Sequence, residues 1–164
     1  MTALWRPAYV GIGSNLKSPR ERVLEAVERM SSMPATRLEQ RSLLYMTRPM
    51  GPKGQPNYVN AVVGLLTQLA PRSLLDELLR IEHSMGRERV DRWGPRVIDL
   101  DLLWMVDSAI DEPGLTVPHP GVSMRNFVLY PLADIAPTIK IPGLGHVLDL
   151  KRNAGGDGIS VLEQ

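Results

Sequence analysis

Two carboxylates, Asp99 and Asp101, interrupt an otherwise apolar run from Val97 to Val106. In an extended chain the side chains alternate faces, so these two point the same way, roughly 6.6 Å apart, while Ile98, Leu100 and Leu102 point into a core. Two ionised groups held that close repel each other, and folding alone does not ask for them. A divalent cation relieves the repulsion. Few, oxygen-only ligands suit magnesium, which keeps waters and completes its shell with phosphate oxygens. Taken alone, the pair also fits a solvated polar face on a half-exposed strand. The flanking residues argue against that plainer reading. Arg96 stands just before the strand, behind the rigid Gly94-Pro95 turn, and Arg87, Arg89 and Arg92 crowd the loop that opens at Gly86. Arginines meeting a carboxylate pair across a turn suit a polyphosphate bridged by metal. Surface ion pairs would leave Trp93 and the glycine hinge at Gly86 unexplained.

The elements that must position these groups are legible in outline. Ala8 to Gly13 reads as a first strand ending in glycine. Ser18, Pro19 and Glu21 supply an N-cap, a first-turn proline and a capping-box acid for a helix carrying Val23, Val27 and Met30 at helical spacing. Thr36 to Thr47 is expected as a second strand and Tyr58 to Thr67, rich in β-branched residues, as a third. Pro71 opens a second helix with Leu74, Leu78, Ile81 and Met85 on one face and Gly86 as terminator. Val97 to Val106 makes the fourth strand, followed by Leu115 to Pro118 and an amphipathic stretch, Met124 to Ile135, interrupted by Pro131. The order β-α-β-β-α-β predicts an α+β, ferredoxin-like fold: an antiparallel sheet flanked by helices in three α-β-α layers.

Composition bounds the function. The 164 residues suit one domain spanning 1–164, with a tail from about 151 to 164 expected to be loose around Asn153 to Gly158. Nineteen basic against eighteen acidic residues leave a net charge of +1, so no global field favours nucleic acid or an anionic membrane. The absence of cysteine excludes disulfides, thiolate metal sites and thiol nucleophiles. No window approaches a membrane span and no signal peptide is evident, so a cytoplasmic monomer is expected. Gly11 and Gly13 follow a strand, but Leu16 occupies the third glycine position of a dinucleotide fingerprint, and no P-loop motif occurs.

Six motifs occur in order: Gly13-Ser14-Asn15-Leu16, Thr47 to Pro52, Tyr58-Val59-Asn60, Arg92 to Leu103, Pro118-His119 and Arg125-Asn126-Phe127. Together they resemble the 6-hydroxymethyl-7,8-dihydropterin pyrophosphokinase family of folate biosynthesis, over roughly residues 8 to 145. The resemblance implies transfer of the terminal pyrophosphate of ATP to the pterin's hydroxymethyl oxygen, leaving AMP. It implies that Asp99 and Asp101 bind magnesium, about two ions, with Arg87, Arg89 and Arg96 beside them in the catalytic centre. The pterin would stack between Tyr58 and Phe127, with Asn60 and the Thr47, Arg48 and Met50 segment reading its edge and Trp93 closing over the site. ATP would lie against Leu75, Glu82, Arg89, Trp93, Arg96, Leu102, Thr116, His119 and Arg125. Gly121 stands where many relatives carry a basic residue, and Leu79 where some have a polar one near the adenine. Two other readings of the residues stay open at this point: a metal-dependent nucleotide hydrolase, and a non-enzymatic ferredoxin-like module for a ligand or nucleic acid. The sparse aromatics, 5% of the chain, argue against the last.

Overall fold

A computed structural model describes residues 4–16, 18–48, 54–86 and 97–163. The chain runs β1 (Arg6–Ser14), α1 (Pro19–Met30), β2 (Thr36–Arg41), β3 (Leu44–Thr47), β4 (Tyr58–Thr67), α2 (Pro71–Ser84), β5 (Asp99–Met105), β6 (Ile110–Glu112), β7 (Leu115–Val117), α3 (Asn126–Ile135), β8 (Lys140–Ile141), β9 (Gly145–His146), α4 (Val147–Ala154) and β10 (Ile159–Glu163). A one-turn 3-10 helix, Val122–Met124, leads into α3. Six strands form the main sheet in the order β10-β3-β4-β1-β5, with β2 also paired to β4. All its pairings are antiparallel.

Alternation along the strands sorts the two faces. Ala8, Val10 and Ile12 of β1 are buried beneath α1, whose own buried residues are Val23, Ala26 and Met30. α2 lies beside α1 and buries Leu74, Leu78 and Ile81 against the same side, next to β5. A fully buried leucine contributes about 1.5–3 kcal/mol relative to exposure, so this layer anchors the sheet. The opposite face carries α3, and α4 packs against α3. Tyr45 of β3 reaches it, donating its hydroxyl to Asp134 of α3 at 2.8 Å, and burial together with that carboxylate pushes the phenol well above its ordinary pKa. The structure is thus the expected three-layer α+β arrangement.

Four details differ from the sequence expectation. The stretch from Thr36 to Thr47 is two strands, because Ser42 breaks the ladder: its amide donates to the Val62 carbonyl, but its hydroxyl, and not its carbonyl, accepts the Val62 amide, each at 2.9 Å. Ser18 does not cap α1 with its side chain; it sits at φ 61°, and Pro19 and Glu21 mark the first turn. α3 continues through Pro131, although the proline offers no amide to the carbonyl of Phe127 one turn back. The segment expected to be a loose tail ends α4 and then adds β10 to the sheet, pairing Ile159 with Thr47. Ile159, Ser160 and Val161 gain ladder partners in Thr47, Met46 and Tyr45 that a free tail would lack.

Candidate active site

One row of residues crosses four strands on the α3 face. Tyr45 is opposite Asn60, Asn60 opposite Gly13, and Gly13 opposite Asp99. Gly13 has to be glycine here: a Cβ would lie 2.9 Å from Asn60 Nδ2. The resulting flat patch is bounded by an amide on one side and a carboxylate on the other. Asn60 is buried, and Thr47 donates its hydroxyl to Asn60 Oδ1 at 2.6 Å. That bond fixes the amide's orientation and points Nδ2 over Gly13, where its internal acceptor is the Ile12 carbonyl at 3.5 Å. Tyr58 opposes Thr47 on the same face. Phe127, half-buried in the first turn of α3, has the Arg125 guanidinium 5.8 Å from its ring.

Asp101 follows Asp99 on this face, opposite Gly11. β5 is the edge strand of the sheet, and its outer rim opens on a cavity of about 340 Å³. Leu75, Leu79 and Glu82 of α2 form one wall, Asp99 to Leu102 the floor, and Gly114 to Thr116 with His119 and Pro120 the other wall. Glu82 is buried, and its Oε2 accepts the Leu100 amide at 2.7 Å. The carboxylate therefore holds the backbone between the two aspartates, satisfying an edge-strand donor that would otherwise be orphaned. Ser14 does the same from β1, donating its hydroxyl to the Val97 carbonyl just before β5.

His119 is held at both ends. Its amide donates to the Leu103 carbonyl at 2.7 Å, and its Nδ1 accepts the Gly121 amide at 3.1 Å. With Nδ1 as acceptor, the neutral ring carries its proton on Nε2 as a donor. Burial, then the nearby Arg125 charge, push His119 below its ordinary pKa, with Asp99 opposing. A Cβ on Gly121 would lie 2.6 Å from Arg125 Nε, so the glycine makes room for that guanidinium beside the histidine.

The structure thus brings Leu75, Glu82, Leu102, Thr116 and His119 around one cavity with Asp99 and Asp101, and Thr47, Tyr58 and Asn60 together beside it. Arg125 lies between His119 and Phe127. The Arg48 guanidinium pairs with Asp157 at 2.7 Å, and its amide donates to the Gly158 carbonyl. Arg87, Arg89, Arg96, Trp93 and Met50 lie outside the described residues. Gly13 shapes the site through its register, and Ser14 and Leu100 through hydrogen bonds to distant segments, roles that the spacing of residues along the chain does not reveal. Among the described residues no three acidic or histidine side chains converge as a ready metal cage. Two carboxylates on one edge suit a cation that draws its other ligands from water and phosphate.

A ferredoxin-like sheet with a carboxylate pair at its edge strand, close to a cavity and a hydrogen-bonding patch, is the arrangement of a small-molecule enzyme rather than of a nucleic-acid face. The model of the 7,8-dihydro-6-hydroxymethylpterin-pyrophosphokinase family matches residues 9–137, and the chain belongs to this family. It is a pyrophosphokinase of folate biosynthesis, a diphosphotransferase. It is 46% identical over 94% of its length to the 2-amino-4-hydroxy-6-hydroxymethyldihydropteridine pyrophosphokinase of Pseudomonas aeruginosa, covering 95% of that protein. It is 42% identical over 87% of its length to the Haemophilus influenzae protein of the same name, covering 89% of it. Among solved structures, the Plasmodium falciparum HPPK-DHPS triple mutant with pteroate superposes with a TM-score of 0.77 at 14% identity, over 97% of this chain. The chain spans about half of that protein, 47%, and the likeness supports the fold alone.

Proposed function

We propose that the row Asn60-Gly13-Asp99 joins two subsites, a pterin pocket at Asn60 and a magnesium–ATP cleft at Asp99 and Asp101. The single observation that carries this reading is their shared register: both residues oppose Gly13 on one face, which spaces them about 10 Å apart across the sheet. A flat heterocycle seated on Asn60 projects a short arm over Gly13 toward the carboxylates. Asn60 Nδ2 suits a ring carbonyl, the Thr47 segment the ring's edge, and Tyr58 and Phe127 its two faces. The cavity at the β5 rim, with Leu75, Leu102 and Thr116, suits the adenosine, and His119 Nε2 and Arg125 the phosphates. Arg87, Arg89 and Arg96 are proposed as phosphate contacts and Met50 and Trp93 as pterin contacts, on the family resemblance alone.

In this reading Asp99 and Asp101 would hold magnesium, expected as a pair of ions, which would neutralise charge on the triphosphate. The chain itself supplies position. The pterin hydroxyl attacks the β-phosphorus in line; the new oxygen–phosphorus bond forms as the bond from the β-phosphorus to the oxygen of the α-phosphate breaks, and AMP leaves. Second to its metal role, Asp99 would orient the hydroxyl or take its proton. His119 donates to phosphate oxygens from a fixed neutral tautomer, and Arg125 adds a permanent charge beside it. Binding the acceptor excludes water, the competing nucleophile.

The test follows AMP with Mg-ATP in the presence and absence of 6-hydroxymethyl-7,8-dihydropterin. AMP release that requires the pterin supports the transferase, and AMP release at equal rates without it sinks the assignment. We further propose that residues 1–164 act as one domain and as a cytoplasmic monomer. Among the described residues no helix is long and apolar enough to cross a membrane, and sedimentation at micromolar concentration tests the monomer.

A further inference from the structure

Between α4 and β10 the chain turns through Gly155, Gly156, Asp157 and Gly158. Gly155 and Gly158 hold φ values of 72° and 75°, which side-chain-bearing residues rarely adopt. This turn touches both walls of the proposed pterin pocket from behind. On one wall, Asn126 Nδ2 donates to the carbonyls of Gly155 at 3.1 Å and Asp157 at 2.8 Å. Asn126 is the first residue of α3, directly before Phe127, and this helix has no side-chain cap. On the other wall, the Arg48 amide donates to the Gly158 carbonyl at 3.1 Å, and Ile159 pairs with Thr47. The Arg48 guanidinium crosses Gly158 so closely that a Cβ there would lie 2.7 Å from Nε. Tyr130, one helical turn beyond Asn126, rests against Gly156 in the same way.

We propose that the Gly155–Gly158 turn is a strap that sets the gap between Phe127 and the Thr47–Tyr58 end of the sheet, with Asn126 as its positioning residue. Through that gap it sets affinity for the pterin without touching it. The proposal rests on the pterin pocket assigned above. Asn126 matters more than the Arg48–Asp157 ion pair, which is too exposed to hold much. Its two bonds go to main-chain carbonyls and tie down the first residue of a helix that carries one proposed stacking wall. Displacing a wall by an ångström weakens a stacked, edge-read ligand while leaving the β5 cleft alone.

Steady-state kinetics on Asn126→Ala, Asn126→Asp, Arg152→Ala and Phe127→Ala test it. Asn126→Asp keeps the side chain's shape and loses the donors, so it covers the case in which the alanine variant folds poorly. Both Asn126 variants are expected to raise KM for the pterin about tenfold, the effect of losing roughly one net hydrogen bond, with KM for ATP and kcat within about twofold. Arg152→Ala, in the adjoining turn of α4, is expected to match the parent. A fall in kcat with both KM values unchanged in the Asn126 variants marks a merely structural role and overturns the strap. A rise in pterin KM for Phe127→Ala without one for the Asn126 variants overturns the strap and leaves the pocket standing. An unchanged pterin KM in Phe127→Ala overturns the pocket, and the strap with it.

Discussion

Asn60 and Asp99 oppose the same residue, Gly13, from the two neighbouring strands, and both face α3. An uncharged amide and a carboxylate are therefore spaced by two hydrogen-bonded ladders instead of by loops. Sheet geometry of this kind hardly moves, so in the proposed reading an acceptor held at Asn60 would present its arm to Asp99 with little search.

Removing either carboxylate is expected to abolish transfer while the fold survives. Asp99→Ala and Asp101→Ala should each lower kcat/KM by at least about a thousandfold, or ~4 kcal/mol of transition-state stabilisation. Pterin-dependent AMP formation measures the loss, and an unchanged thermal midpoint confirms the fold. Retained activity in both variants would defeat the metal assignment.

Gly13→Ala is expected to be far more damaging than Gly11→Ala. The new methyl at position 13 would meet Asn60 Nδ2 at 2.9 Å, whereas at position 11 it would meet the pliable end of Leu103 at 3.4 Å. The first should cost about 1–3 kcal/mol of stability together with pterin binding. Urea denaturation and pterin titration of the two variants give the comparison.

Thr47→Val tests the orientation of Asn60. The valine removes the donor to Asn60 Oδ1 and leaves a buried acceptor unmet. A loss of about 1–3 kcal/mol is expected, with a higher KM for the pterin and an unchanged KM for ATP. Equal effects on both KM values would contradict a role confined to the acceptor.

His119 gives a signed pH dependence in metal-free buffer. Burial and Arg125 lower its pKa in the folded state, so the unfolded chain binds its proton more readily. Stability from this group is present above the ordinary histidine range and is lost as pH falls from about 6.5 toward the lowered folded value. His119→Asn, which can still accept the Gly121 amide, should flatten that part of the stability–pH curve. Urea midpoints between acidic and neutral pH check it; parallel curves for the two proteins would refute it.

Much of this site was legible one segment at a time. The alternation that puts Asp99 and Asp101 on one face is a property of any extended backbone, and the helix at Leu74, Leu78 and Ile81 follows from its spacing. The motifs from Gly13 to Phe127 carried the family. What pairs with what was not legible, because register is set by ladders and packing between distant segments. Only the tertiary structure places Asn60 and Asp99 beside the same glycine. It alone brings Glu82 to the Leu100 amide, so a residue expected near the nucleotide also holds the strand that carries the aspartates. It replaces one long strand with β2 and β3, because the Ser42 hydroxyl substitutes for a main-chain acceptor. The end of the chain is the clearest case. Gly155 to Gly158 reads as slack by composition, since glycine loses the most freedom on folding. The carbonyls it offers to Asn126 and Arg48 become partners only when α3 and β3 have already been brought to either side of it.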